Sequence, residues 1–285
     1  MKRIFIRTNN KQILGAIVSR FSIYKNTVDK NDIRVDFLNV DEMDEFKNFS
    51  GKKFLRYGEE ITYDPKDLQS FTLVPFKIPQ IMNYQGLVVV IDPDVFAVSD
   101  IAELFSIDLG NNVLAARAKR GAWDTSVMLL DCSKLKHWNM NRILDDLANF
   151  RIDYGDWMTL HNEGPVLELP PEWNSWDELN KKTKLLHTTR RVTQPWKTGL
   201  PIDFHWNEMG KIFGLISKRW LFQKIKKLPR HYQPHPDKKI ESFFFSLLKE
   251  AINEGGVSYG FIEEEIKKGH IRPDAIKLLQ STNPA

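Results

Sequence analysis

Two aspartates directly follow the most apolar short run in this chain of 285 residues. The run Leu87–Ile91 has no polar alternation, which is typical of a strand buried on both faces, and Asp92 and Asp94 come next. Carboxylates at the carboxyl end of a central strand lie at the edge of an open α/β sheet, where ligands bind. Mg²⁺ and Mn²⁺ prefer oxygen ligands and share them with substrate phosphates. The pair predicts a divalent-metal site, although Asp-Pro-Asp is also a common strand-ending turn.

The elements that must position this pair alternate between strand and helix. Residues 2–7 and 33–40 predict strands, and residues 12–24 carry apolar side chains at helical spacing on one face. Such alternation predicts an α/β fold, an open sheet flanked by helices. Further predicted strands are 113–116, 126–130 and 183–186, the last ending at His187, and further predicted helices are a short one near 78–82 and one over 135–150.

Beyond residue 204 the pattern becomes helical. Ile240, Leu247, Leu248 and Ala251, with the phenylalanines at 243 and 244, follow an i, i+3, i+4 spacing that predicts one core-facing helix. The predicted organisation is therefore an α/β domain over residues 1–200 and a helical region over residues 201–285.

Composition narrows the classes of function. The single cysteine, Cys132, excludes an intrachain disulfide framework and a cysteine-based zinc cluster. Neither a secretory signal nor an apolar stretch of about 20 residues, the length that spans a bilayer, is present. The expected location is the cytoplasm. A net charge of +4 is too small to indicate nucleic-acid binding by itself.

The segment 211–239 concentrates basic charge. It contains nine lysines and arginines, only Asp237 opposes them, and aromatic and aliphatic residues are interleaved. This composition is typical of a helix on an anionic membrane surface, here the inner face, and equally of a helix docked on the catalytic domain with solvated lysines. No nucleic-acid recognition motif accompanies it.

Residues 87–105 as a whole resemble the metal-binding signature of glycosyltransferase family 8 and its GT-A relatives. In that signature a hydrophobic strand leads into Asp-x-Asp, a few apolar residues, Asp-Ile and a Glu-Leu-aromatic helix start, matched here by Asp92-Pro93-Asp94, Asp100-Ile101 and Glu103-Leu104-Phe105. Weaker similarities follow in the family's order: the first strand and helix (residues 4–23), Phe76-Lys77-Ile78-Pro79, residues 124–129, Leu169-Pro170, Trp173-Asn174, and His187 followed by Gln194-Pro195-Trp196.

The resemblance implies a GT-A fold, Rossmann-like, and transfer of a hexose from a nucleotide-diphosphate sugar, with a UDP-sugar favoured. The acceptor is an unidentified glycan, lipid or small molecule, and the family reaction proceeds with retention. By the same resemblance, Asp92, Asp94 and His187 hold Mn²⁺ or Mg²⁺. The implied donor contacts are Thr8, Asn9, Lys77, Asp92 and Lys197.

The chain departs from the family at several positions. Asp124 stands where the family has Asn, Gln194 replaces the phosphate-binding Lys, and Pro75 replaces an Arg upstream of the metal strand. Nearby cations that could supply the missing charge are Lys197, Arg190 and Arg191.

Two other carboxylates are candidate catalytic residues. Asp124 or Asp156 could stabilise positive charge that develops at the anomeric carbon, or each is an ordinary loop carboxylate. The remaining histidines, including His231 and His235, are predicted to lie on the surface.

Three alternatives stay open at this stage. An inverting GT-A transferase would use Asp124 or Asp156 as a general base. A non-catalytic nucleotide-sugar-binding or membrane-associated module would explain the replaced lysine and arginine. A nucleotidyltransferase is disfavoured because no Gly-rich phosphate loop occurs near residue 10.

Overall fold

A six-stranded sheet forms the centre of the protein. The structure, a computed structural model, describes residues 1–204 and 228–282 and the backbone of residues 211–212 and 216–217. In spatial order the strands of the sheet are β2 (Ile33–Asn39), β1 (Lys2–Thr8), β5 (Leu87–Ile91), β8 (Ala122–Asp131), β7 (Leu114–Lys119) and β9 (Val166–Glu168). All neighbours pair in parallel except β8, which is antiparallel to both β5 and β7. The predicted α/β class is confirmed.

Smaller sheets flank this centre. They are the hairpin β3 (Lys53–Arg56) and β4 (Glu59–Thr62), the three-stranded sheet β10 (Ser175–Trp176), β11 (Leu185–His187) and β6 (Val95–Ala97), and the pair β12 (Lys211–Ile212) and β13 (Ile216–Ser217). The described α-helices are α1 (Ile13–Asn26), α2 (Asp44–Phe49), α3 (Ile78–Ile81), α4 (Met140–Ala148), α5 (Tyr154–Thr159), α6 (Lys238–Asn253), α7 (Tyr259–Lys267) and α8 (Ala275–Ser281). Short 3-10 helices span Asn10–Gln12, Val40–Glu42, Ser70–Lys77, Ile101–Ser106, Cys132–Lys134, Pro171–Asn174, Arg191–Thr193 and Pro195–Lys197.

The central sheet is buried on both faces, as the unbroken apolar run of β5 predicts. Successive side chains of a strand point to opposite faces. Val88 and Val90 accordingly pack into one core cluster, and Val89 and Ile91 into another. The sheet thus holds the end of β5, where Asp92 begins, in a fixed position.

The predicted helix over 135–150 is shorter than expected. A 3-10 turn, Cys132–Lys134, precedes it, and α4 begins only at Met140, where the Asn139 side chain accepts a hydrogen bond from the Arg142 amide. Side-chain caps of this kind fix where a helix starts, and apolar periodicity does not report them.

The C-terminal helices share a core with the α/β unit. Phe244 of α6 stacks on Trp196 with 4.9 Å between ring centroids, and both belong to a cluster with Leu14 and Val18 of α1. Within α6, Phe245 is buried, whereas Phe243, predicted for the core face, is only partly so. The helical character predicted after residue 204 is confirmed for α6, α7 and α8 but is wrong for residues 211–212 and 216–217, which pair as antiparallel strands. The boundary near residue 200 stays a prediction.

Six of the nine basic side chains of segment 211–239 lie outside the described residues, so its contact with a membrane also stays a prediction. Within residues 1–204 and 228–282, no helix is both long and apolar enough to cross a membrane.

Candidate active site

Asp92, Asp94 and His187 converge at the carboxyl edge of the sheet. Asp92 and Asp94 leave the end of β5, and β11 pairs antiparallel with β6 so that His187 lies opposite Val95, the residue after Asp94. One ligand atom from each of the three lies within 4.8 Å of the others. His187 Nε2 is 3.6 Å from Asp94 Oδ1. Two carboxylates and an imidazole at this spacing fit the ligand preferences of Mn²⁺-class cations.

Asn174 fixes the orientation of the histidine. Its Oδ1 lies 2.8 Å from His187 Nδ1 and accepts the Nδ1 proton, so the other ring nitrogen, Nε2, faces Asp94. The Asn174 Nδ2 donates to Asp124 Oδ1 over 3.3 Å, and the side chain is fully buried. One amide therefore aligns a candidate metal ligand and a candidate catalytic carboxylate.

Asp94 is buried, so its ionised form is less stable than that of an exposed carboxylate. Burial raises its pKa to about 6, against the favourable charge of His187 and with a further increase from Asp92. Gln194 Nε2 donates to Asp94 Oδ2 over 3.2 Å, and Gln12 Nε2 donates to Gln194 Oε1 over 3.1 Å. At the position where the family has lysine, this chain therefore uses a neutral amide that holds Asp94.

Arg7 is a site residue that sequence reasoning missed. Ile6 of β1 pairs with Ile91 of β5, so the residues that follow them, Arg7 and Asp92, lie side by side, and the Arg7 guanidinium donates to the Asp92 carboxylate. It also donates to the Thr72 carbonyl over 2.7 Å, and its side chain is only 2% exposed. A cation directly after the apolar residues 4–6 of β1 was the available signal, because buried charges are normally paired.

These groups open into a pocket of about 450 Å³. Its walls include the candidate metal ligands, Asp124, and the aromatic side chains of Tyr57, Phe71, Trp123 and Tyr154. Its cationic lining residues are Arg7, Arg56, Lys119, Arg120 and Arg191.

Asp124 is an ionised carboxylate on the pocket wall. Burial opposes its charge, but His187, Lys119 and hydrogen bonds from Ser126 outweigh that cost and hold the pKa of Asp124 below its ordinary value. Lys119 Nζ lies 3.5 Å from its Oδ2. The second candidate, Asp156, is in the first turn of α5 and is not among the described residues that line the pocket.

The other predicted donor contacts lie behind or beside the pocket wall. Thr8 and Asn9 are buried, and Asn9 Nδ2 donates to the carbonyls of Asp67 and Leu68, so it anchors the neighbouring loop. Lys77 forms an ion pair with Glu45 of α2. Their contact with a donor stays a prediction.

The structure does not bring the Lys197 ammonium to the pocket. Lys197 is 1% exposed, its Nζ lies 3.4 Å from Asp203, and burial lowers the pKa of Lys197. Arg190 is largely exposed, and its Nε lies 3.9 Å from Asp177. Of the three cations considered as replacements for the family lysine, Arg191 is the one that lines the pocket.

The surface prediction for His235 is wrong. His235 is 3% exposed, and its Nε2 lies 3.2 Å from Asp177 Oδ1. The Asp177 amide in turn donates to the His187 carbonyl over 2.9 Å. The histidine lies just before α6, whose packing against the α/β unit buries it, and spacing in the sequence does not report such packing.

An open α/β sheet with a carboxylate–histidine group at its edge and a large polar pocket beside it fits the glycosyltransferase that the sequence resemblance implies. A sequence model described as "Glycosyl transferase family 8" matches residues 3–198, and the chain belongs to this family. The predicted GT-A fold is confirmed.

Solved structures similar to this chain are also glycosyltransferases, at low identity. The S. pneumoniae TIGR4 glycosyltransferase GlyE is 16% identical, with a TM-score of 0.49, over 83% of this chain and 66% of that one. The galactosyltransferase LgtC, in complex with donor and acceptor sugar analogs, is 14% identical, with a TM-score of 0.45, over 68% of this chain and 89% of that one. The bifunctional WbbM is 15% identical, with a TM-score of 0.46, over 69% of this chain and 47% of that one. A search of curated proteins found no match.

Proposed function

We propose that this protein transfers a hexose from a nucleotide-diphosphate sugar, a UDP-sugar by preference, to an acceptor, with retention and with Mn²⁺ or Mg²⁺ as cofactor. The observation that carries the proposal is the convergence of Asp92, Asp94 and His187 within 4.8 Å at the carboxyl edge of the sheet. The family's acceptors as a class, glycans, glycolipids and small molecules, are the expected second substrates.

The residues present fit a divalent cation. His187 has its Nδ1 occupied by Asn174, so Nε2 is available as a ligand, and Asp94 accepts from Gln194 through Oδ2, which leaves Oδ1 toward the histidine. Partners behind the ligands of this kind orient them and tune their affinity. When bound, the cation would neutralise charge on the departing diphosphate.

Asp124 supports retention over the inverting alternative. Its depressed pKa makes it a weak general base at neutral pH, since efficient bases have a pKa near the operating pH. A fixed negative charge on the pocket wall suits stabilisation of an oxocarbenium-like state instead. Asp124→Asn, the residue type usual in the family, should therefore preserve the anomeric configuration of the product while changing its rate of formation.

The test is calorimetric titration of UDP- and GDP-sugars with and without Mn²⁺. We expect metal-dependent binding of one donor, lost in Asp92→Ala/Asp94→Ala. The matched control is Asp145→Ala/Asp146→Ala, which removes two carboxylates that pair with Arg151 on the surface of α4. No binding of any nucleotide sugar to the wild type, with or without metal, would refute the proposal.

A further inference from the structure

The pocket lining carries more positive charge than its own carboxylates and a metal-bound diphosphate would neutralise. Among the described residues, the lining has five cationic side chains against three carboxylates, an excess of two before His187 is counted. A divalent cation and the diphosphate of a nucleotide sugar, which carries two negative charges, cancel each other. The excess therefore stays unbalanced after the donor is in place, and a cationic cleft concentrates anionic ligands.

Two of these cations meet on one neutral oxygen. Gln69 Oε1 accepts from Arg56 Nη2 over 3.2 Å and also from Arg191 Nη1. The Arg56 guanidinium lies 4.9 Å from the Tyr154 ring centroid, and the Arg191 guanidinium lies 4.9 Å from that of Phe204. Burial, followed by the like charge of Arg56, lowers the pKa of Arg191. Two guanidinium groups held this close on one wall present paired donors to an anion in the pocket.

The hairpin that carries Arg56 is held in place before any ligand binds. The amides of Tyr57 and Gly58, at its tip, donate to the Asp153 carboxylate over 2.8 and 2.7 Å. The Tyr57 ring also lies so close to Gly155 that a Cβ there would be 2.5 Å from it. Because the fold already orders the hairpin that carries Arg56, less conformational entropy is lost when an anion binds, which favours tight binding.

We propose that Arg56 and Arg191 bind an anionic group, a phosphate or a carboxylate, carried by the acceptor. The inference rests on the proposed function and narrows its acceptor to an acidic molecule. Planar guanidinium forks match both oxyanions with paired, charge-assisted hydrogen bonds. The described contacts of the two arginines include Gln69, Tyr154 and Phe204, and both arginines line the pocket.

The test uses the full chain saturated with Mn²⁺ and UDP, titrated with charged and neutral probes of the same shape. The pairs are methyl glucuronide against methyl glucoside, and glycerol 3-phosphate against glycerol. We expect one charged probe to bind at least about tenfold more tightly than its neutral counterpart, and Arg56→Gln and Arg191→Gln each to weaken it about tenfold. Arg190→Gln, which removes a neighbouring exposed cation outside the pocket lining, should change nothing.

Three results would overturn the inference. Equal binding of charged and neutral probes would show that the pocket does not select an anionic group. Unchanged binding in both arginine variants would show that Arg56 and Arg191 do not bind it. Lost affinity for UDP with the charged probe unaffected would assign the pair to the donor. If Arg191→Gln fails to fold by thermal melting, Arg191→Lys and Arg56→Gln decide the question.

Failure of the proposed function would be seen separately. A wild type that binds no nucleotide sugar refutes that function and, with it, the assignment of the anion to an acceptor. The same probes titrated without nucleotide then show whether the arginine pair binds an anion at all.

Discussion

Replacing Asn174 with alanine changes how the metal ligands are held without changing the ligands. The amide accepts from His187 Nδ1 over 2.8 Å and donates to Asp124 over 3.3 Å from a fully buried position. Alanine removes both bonds, so the imidazole can rotate or take the other tautomer, and Asp124 loses a donor. The ligand set stays the same.

The size of the effect follows from these contacts. Loss of a partner behind a metal ligand typically costs 10–100-fold in metal affinity, or about 1.4–2.8 kcal/mol. Leaving buried polar atoms without partners costs about 1–3 kcal/mol each in folding free energy. We therefore expect Asn174→Ala to bind Mn²⁺ at least about tenfold more weakly and to unfold at lower denaturant concentration.

Calorimetry of Mn²⁺ binding and urea denaturation without metal measure the two effects separately. The matched control is Asn26→Ala. The partly buried Asn26 Nδ2 also donates two hydrogen bonds, to the Ser22 and Ala97 carbonyls over 2.8 and 3.0 Å. That variant should lose stability and keep its metal affinity. An Asn174→Ala protein with wild-type Mn²⁺ affinity would show that the histidine does not need its partner, and the reasoning would fail.

Three further predictions concern the rest of the chain. Burial raises the pKa of the Cys132 thiol to about 12, so a maleimide should label it only as fast as the protein unfolds; rapid labelling of native protein contradicts this. Gly15→Ala places a methyl group against backbone and ring atoms and should lower the free energy of unfolding by about 1–3 kcal/mol, whereas the uncrowded Gly260→Ala should not; equal Tm values would refute it. Burial opposes the charge of Asp203, but Lys197, a hydrogen bond from Tyr232 and Lys11 together outweigh it and lower the pKa of Asp203, so its stabilisation, present at neutral pH, is lost as the pH falls through that lowered pKa. Wild type and Asp203→Asn should thus differ most in denaturation at neutral pH, and the difference should shrink as the pH falls from about 5 toward about 2; a constant difference contradicts the argument.

The fold and the metal-ligand candidates could be predicted because both depend on order along the chain. An apolar strand, the aspartates that end it and a histidine after a later strand are local patterns, and the family's motif order connects them. Residues 87–91 form the predicted strand without change, and Asp92, Asp94 and His187 meet as the resemblance implies.

The supporting residues could not be predicted because they depend on strand register and side-chain direction. Arg7 reaches Asp92 only because Ile6 pairs with Ile91, and Arg56 reaches the pocket only because Asp153 binds the hairpin tip. Lys197 is three residues from Gln194, yet a tight 3-10 turn directs it to Asp203 instead. Proximity in sequence says little about which way a loop cation points.

The core shared by α1, Trp196 and α6 bears on how this enzyme could be shortened or recombined. The family match ends at residue 198, and the Arg272 amide, far beyond it, donates to the Trp196 carbonyl over 2.8 Å. Cutting the chain there would leave Leu14, Val18, Phe96 and Trp196 facing water, an exposed apolar patch of the kind that drives aggregation. The C-terminal helices therefore cannot be separated from the α/β unit. A truncated or chimeric protein that contains the α/β unit must also contain these helices.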